Sequence, residues 1–263
     1  MRRIWRMIRF FNTMITQAIR LRLAERRVES EELPLFKANW QRKATAKLCH
    51  LLGVEVHLVG EIPTKGAMLA VSNHLGLLDP FLLSSQMPVA FAAKAEIGNW
   101  PVIGWVCKLV GVIFVKRERR MQTGKFVEQV QHRIREGIRV LVFPEGTTSD
   151  GMGILPFKTG AFAAVANMEG GAILPFYMRG ITADGEPASG DYLTGFTWTN
   201  GQPLFLHAWD ILSLKKIIFE IHVGEPIDTT NRDRKELARL SYDAVTALSR
   251  LSATVDTNVD NNA

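Results

Sequence analysis

Ala67-Met68-Leu69-Ala70-Val71-Ser72-Asn73-His74-Leu75-Gly76-Leu77-Leu78-Asp79-Pro80, residues 67–80, is the stretch whose reading decides the fold. The run 67–72 has the composition of a buried strand and stops at a polar cluster. Gly76 permits a turn, and Asp79-Pro80 is a helix-start signal, an N-cap followed by a proline at the first helical position. A strand, a turn and a helix in direct succession form the repeating unit of an α/β domain. Reading outward, further apolar, β-prone runs lie at 54–59, 89–93, 111–115, 138–143, 172–177 and 217–223. Helical stretches at 80–86, 120–136 and 158–168 separate several of them. The alternation predicts an α/β domain over 53–252, with a mixed, largely parallel central sheet flanked by helices. Its last helix is expected at 232–252, followed by a disordered polar tail, 253–263. The apolar stretch 97–115 approaches membrane-span length, but Gly98, Pro101, Gly104 and Gly111 divide it into a loop, a short helix and a strand.

The charge is concentrated upstream of this domain. The chain has 263 residues and a net charge of +6, yet residues 1–52 hold twelve Lys/Arg against four Glu. Two basic amphipathic helices are predicted there, at 2–22 and 35–52. In the first, Ile4, Met7, Ile8, Phe11, Met14, Ile15 and Ala18 recur at helical spacing, with Arg2, Arg6, Arg9 and Arg20 opposite them. The uncharged run between Arg9 and Arg20 is shorter than the roughly 20 apolar residues of a span. This pattern predicts an element lying in an anionic membrane interface; a helix docked on the protein's own core is the plainer reading. The second face is too apolar for a nucleic-acid arm, so no nucleic-acid partner is expected. A composition with 47% hydrophobic and 22% charged residues excludes global disorder and collagen, and two cysteines, Cys49 and Cys107, exclude a disulfide scaffold.

Four blocks carry chemistry. His74 and Asp79 have the residue types of a general-base pair, in which the carboxylate orients the imidazole and stabilises the imidazolium that forms. Five residues apart on one helix they would point in different directions; a turn at Gly76 brings Asp79 back toward His74. Asp79 as a helix cap remains the alternative. Residues 140–151 form a strand ending in Pro144-Glu145-Gly146, followed by Thr147, Thr148 and Ser149, either a polar-ligand loop or an ordinary turn. Gly111–Arg117 forms a strand that delivers Lys116 and Arg117, a phosphate-binding pair or a solvated charge run. Ile173-Leu174-Pro175-Phe176 is a strand whose proline hints at an edge or a bulge. The G-x-S-x-G, P-loop, G-x-G-x-x-G and H-E-x-x-H patterns are absent. His50, His57, His132, His207 and His222 are scattered and read as surface or satisfied core histidines.

In this order and spacing the four blocks resemble the glycerolipid acyltransferase family, more narrowly its 1-acylglycerol-3-phosphate acyltransferases. The resemblance rests on Asn73-His74-x4-Asp79, on Gly111, Phe114 and Arg117, on Phe143 to Ser149, and on Ile173–Phe176. It implies that His74, oriented by Asp79, deprotonates a lysolipid hydroxyl, which attacks an acyl thioester of coenzyme A or acyl carrier protein directly. No acyl-enzyme, metal or organic cofactor is implied. Arg117, with Lys116, would bind the acceptor phosphate, and Glu145 and Gly146 its glycerol or head group. Asn73, Thr147 and Thr148 belong to the same substrate-binding set, Lys158 is a further cation, and 97–115 would line an acyl-chain pocket. The implied setting is the cytoplasmic face of a bacterial inner membrane, held interfacially by residues 1–52. One position departs from the family: Thr148 stands where an arginine is usual. Lysophosphatidic acid is the acceptor the resemblance most directly implies; a threonine here resembles relatives that acylate other lysolipids, including lyso-ornithine lipid. A non-catalytic lipid-binding relative is the remaining alternative.

Overall fold

A computed structural model describes residues 1–64, 66, 69–115, 123–188, 196–198 and 202–260. Two helices come first, α1 (Arg2–Ala24) and α2 (Leu33–Leu51), and then β1 (Val54–Val59) and β2 (Leu69–Ser72). There follow α3 (Asp79–Gln86), β3 (Val89–Lys94), α4 (Ile103–Val110), β4 (Ile113–Val115), α5 (Thr123–Arg135) and β5 (Arg139–Val142). The chain continues through β6 (Ala172–Ala183), β7 (Glu186–Pro187), α6 (Leu204–Ile211), β8 (Ile217–Val223), β9 (Ile227–Asp228) and α7 (Arg234–Asp260).

The strands lie in the order β1-β8-β6-β2-β5-β3-β4, with β7 and β9 both paired to β6. All neighbours along this path are parallel except β6 and β8, so the sheet is mixed and largely parallel, as the alternation predicts. Both faces are covered, and successive residues of one strand feed opposite cores. Ala70, Leu141 and Leu174 join one cluster with Leu82, Leu83 and Met178. Leu69, Val71, Val140, Val142 and Ile173 join the other, beneath Val130 of α5, Phe162 and Leu237 of α7.

Three elements differ from the sequence reading. The helix expected at 158–168 shrinks to a 3-10 turn, Ala161–Ala164, and Asn167 just beyond it takes a left-handed conformation that a helix cannot contain. Pro175 marks neither an edge nor a bulge. It pairs with Val71 inside the sheet, where the partner on its other side changes from β9 to β8, and its carbonyl accepts from Gly224 N at 2.9 Å. The irregularity in β6 lies instead between Gly180 and Thr182. The final helix, α7, runs to Asp260, past the boundary at 252 where a disordered tail is expected.

In α1 the single apolar face divides into two stripes. Met14, Ala18 and Leu21 are buried, and Met7 and Phe10 pack on the main core; Ile4, Trp5, Ile8, Ile19 and Leu23 are exposed. The arginines divide as well. Arg2 donates to Ser213 O and Arg6 to Leu214 O, while Arg3 lies 5.7 Å from the Trp209 ring centroid. Among the described residues, no helix is long and apolar enough to cross a membrane.

Where β2 ends, a side chain continues the sheet. Asn73 Nδ2 donates to Met178 O at 2.9 Å, and Asn73 Oδ1 accepts from Met178 N at 2.8 Å. Asn73, 3% exposed, thus mimics one more ladder pair between β2 and β6. Truncating it leaves a buried backbone N–H and C=O of Met178 without partners, each worth about 1–3 kcal/mol. Asn73→Ala is expected to lower the unfolding free energy by about 2–4 kcal/mol, read from urea melts.

Candidate active site

The site lies beyond the carboxyl ends of β2 and β5, neighbours in the parallel part of the sheet, where open α/β sheets place their ligands. Asp79 begins α3 but does not cap it: Leu78 holds the N-cap position, and the carboxylate turns back into the preceding loop. Its Oδ2 accepts from His74 Nδ1 at 2.6 Å, from Leu75 N at 2.6 Å and from Gly76 N at 2.9 Å. Two backbone N–H groups already donate to Oδ2, so the hydrogen in its contact with His74 is the one carried on Nδ1. Nε2 is left with its lone pair, as a general base requires. The His74 side chain is 13% exposed and that of Asp79 1%, so the pair meets solvent through the imidazole alone.

Gly76 is needed here for space rather than for a left-handed turn. A Cβ at 76 would lie 2.8 Å from Phe196 O and 3.1 Å from His207 Nε2. The loop folds tightly because nothing projects from its middle.

The loop after β5 braces the same histidine from the other side. The Phe143 ring stacks on His74 with centroids 4.2 Å apart and an interplanar angle of 15°. Glu145 Oε1 accepts from His74 N at 3.2 Å, and Ser149 N donates to His74 O at 2.8 Å. Glu145 is 2% exposed. Burial pushes its carboxyl up to about 8, and the nearby Asp79 charge adds to this, against the His74 and Leu155 amides that favour the carboxylate. Gly146 has φ +70°, and a Cβ there would lie 2.5 Å from Lys158 Nζ. The exposed lysine therefore lies over the Pro144-Glu145-Gly146 turn and brings a cation to the rim of the site.

The structure thus gathers His74, Asp79, Glu145, Gly146 and Lys158, with Thr147 partly buried in the same loop. Asn73 adjoins them, but its amide is committed to Met178, which corrects its assignment as a substrate ligand. Thr148 donates to Trp198 O and so ties this loop to the segment before α6. Lys116 and Arg117 lie outside the described residues. The sequence reads His207 as a surface or satisfied core histidine. It is fully buried beside Gly76, and among the described residues neither ring nitrogen has a hydrogen-bond partner. Nothing in its sequence neighbourhood signals this, because the fold alone brings 207 to 76. Among the described residues there is no group of three or more His, Cys, Asp or Glu placed to hold a metal.

The family model described as Acyltransferase matches residues 53–179, which hold both loops. The lyso-ornithine lipid O-acyltransferase of Brucella abortus is 33% identical over 224 residues, covering 81% of this chain and 84% of that protein. The enzyme of the same name from Rhizobium meliloti is 31% identical, over 77% of this chain and 70% of its own length. The 1-acyl-sn-glycerol-3-phosphate acyltransferase of Neisseria gonorrhoeae is 31% identical over 65% of this chain and 64% of that protein. In fold, the chain is similar to the crystal structure of the 1-acyl-sn-glycerophosphate (LPA) acyltransferase PlsC from Thermotoga maritima, with a TM-score of 0.67 and 20% identity. That similarity covers 96% of this chain and 98% of the other. The fold and the extent of these matches define the class of protein. The chain belongs to the acyltransferase family.

The buried Glu145 gives the site a pH signature. Its folded value lies above the ~4.3 of an unfolded glutamate, so the stability of the neutral form is complete below that pH. It is lost as pH rises toward about 8. The melting temperature of Glu145→Gln minus that of the wild type is expected to grow from pH 5 to 8 and then level off. A difference that stays constant across this range would place the charged form inside the folded protein.

Proposed function

We propose that the protein transfers a fatty acyl group from a thioester to the free hydroxyl of a lysolipid, with His74 as general base. The observation that carries this is the three-donor embrace of Asp79 Oδ2, which fixes the tautomer of His74 and leaves Nε2 facing outward. His74 Nε2 takes the hydroxyl proton as the oxygen attacks the thioester carbonyl. Asp79 stabilises the imidazolium, and the thiol leaves with the proton that His74 returns. No nucleophilic serine or cysteine is needed. Burial pushes the Cys49 and Cys107 thiols up, to about 12 and about 11, which keeps both protonated at neutral pH. Coenzyme A or acyl carrier protein supplies the thioester, and no metal or organic cofactor enters the reaction.

For the acceptor, the Thr148 contact favours lyso-ornithine lipid. The Thr148 hydroxyl is spent on Trp198 O, so position 148 offers a head group neither a guanidinium nor a free hydroxyl donor. The match to proteins named for that substrate supports the same reading. The relatives named for 1-acyl-sn-glycerol-3-phosphate support lysophosphatidic acid as the second reading, with Lys158, Lys116 and Arg117 as phosphate ligands. The deciding experiment measures thiol release with each acceptor, wild type beside His74→Ala. The variant is expected to lose at least about 1,000-fold in rate, the scale of a lost general base and its orientation. If lysophosphatidic acid alone supports His74-dependent turnover, the acceptor is the phosphate lipid. If no acceptor does, the fold serves lipid binding without catalysis.

The exposed stripe of α1 is the proposed contact with an anionic membrane, at the cytoplasmic face of a bacterial inner membrane. Trp5 and Ile8 offer apolar area, and Arg9, Arg20, Arg26 and Arg27 offer exposed charge around it. Residues 1–52 bind lipid, and no nucleic acid, on this reading. Removing all of α1 would expose core, so the test is the pair Trp5→Glu and Ile8→Glu. Their burial is worth about 1.5–3 kcal/mol each. The double variant should keep its melting temperature and bind anionic vesicles at least about tenfold more weakly in sedimentation. Unchanged sedimentation would move the anchor to another surface.

A further inference from the structure

Behind the pair lies a second histidine with no role in the proposed step. The segment before α6 is tied to both catalytic loops: Trp198 N donates to Leu75 O at 2.8 Å, and Trp198 O accepts from Thr148. Trp198 Nε1 donates to Gln202 O at 2.8 Å, just before α6. The helix then places His207 under Gly76, with Nε2 3.1 Å from where a Cβ would be. Gly76 is the residue whose N–H holds Asp79 Oδ2.

Three residues of the site carry buried polar atoms without a partner among the described residues: Asp79, His207 and Glu145, whose Oε2 lies in the loop on the other side of His74. Among the described residues, Asp79 Oδ1 is buried and has no hydrogen-bond partner, although its sister oxygen has three. Neither nitrogen of His207 has one, at zero exposure. A buried polar atom without a partner is costly, and a carboxylate oxygen more so. An imidazole N–H and a carboxylate oxygen are complementary, so each group answers the other's need.

We propose that His207 is a positioning residue for the His74–Asp79 pair, donating a ring N–H toward Asp79 Oδ1 across one water. Oδ2 alone fixes one corner of the carboxylate. A donor on Oδ1 fixes its plane, and with it the direction in which Oδ2 holds His74 Nδ1 during proton transfer. Burial pushes His207 toward its neutral form, against the pull of the Asp79 and Asp210 charges. A neutral ring has one N–H to give and adds no charge beside the pair. The proposal rests on the acyltransferase reading, and wild-type turnover measured against His74→Ala checks that reading separately.

The test uses the full-length chain in the thiol-release assay with His207→Phe, His207→Gln and His207→Asn, with melting temperatures taken in parallel. Phenylalanine fills the space and donates nothing. It is expected to lower kcat about tenfold or more while KM for both substrates stays within about twofold. Glutamine places an amide nitrogen near the Nε2 position and asparagine near Nδ1, so one of them should recover most of the lost kcat. A Phe variant that keeps wild-type kcat overturns the proposal and leaves His207 a packing role. Gln and Asn variants that match a folded Phe variant in kcat overturn it too. Where the Phe variant does not fold, the comparison is between the two amides: a roughly tenfold gap supports a donor at one ring position, and equal rates overturn it.

Discussion

A carboxylate with almost no contact with water has to be surrounded by donors, and Asp79 organises its surroundings to that end. Three N–H groups from consecutive residues, His74, Leu75 and Gly76, converge on a single oxygen. That convergence requires a loop curled around the acid, a strand that ends just before it and a helix that begins at the acid itself. β2 and α3 supply both ends. Without such donors, burial would favour the protonated acid, and His74 would lose the acceptor that sets its tautomer. The requirement of the chemistry and the requirement of the fold are met by the same hydrogen bonds.

The loop is held from outside as well. Asn73 binds it to β6, Ser149 and Glu145 grip the His74 backbone from the β5 side, and Trp198 closes over Leu75. Phe143 takes the face of the imidazole. Each of these contacts comes from a segment distant in sequence, and together they leave His74 little freedom but to present its edge. An imidazole held in this way is ready before a substrate arrives, and that readiness is the source of much of a general base's effect.

Much of this was legible in the residues. The alternation of apolar runs identified the sheet and its mainly parallel character, and the strand-then-polar pattern placed both loops at its active end. The spacing of His74 and Asp79 suggested a pair only if the chain turned, and it does. The reason for Gly76 was not legible, because the bodies it must clear, Phe196 and His207, lie far along the chain. Asn73 looked like a ligand because an asparagine beside a histidine invites that reading; only the register of β6 shows that its amide is already taken. The depth at which Glu145 is buried follows from loop packing that no local pattern encodes. α1 shows a different limit. Hydrophobic periodicity reports how many apolar residues a helix has and where they point, but it does not distinguish one broad stripe from two adjoining ones with different partners.

That division in α1 bears on how a lipid enzyme meets its substrate. The inward stripe is joined to α3: Phe10 packs on Phe81 at 6.2 Å between centroids, two residues after Asp79. Arg2 and Arg6, which by charge alone would be assigned to lipid, instead bind the carbonyls of Ser213 and Leu214 after α6. α1 is therefore a structural part of the domain and not a tether loosely joined to it. A flexible anchor would raise the local concentration of substrate while leaving its orientation free. A helix packed on α3 does more. With the membrane contact proposed above, the His74–Asp79 pair keeps a fixed height and tilt relative to the exposed stripe of Trp5 and Ile8. For an acceptor whose reacting hydroxyl sits at head-group depth, that fixed geometry replaces much of the positioning a soluble enzyme must draw from pocket contacts.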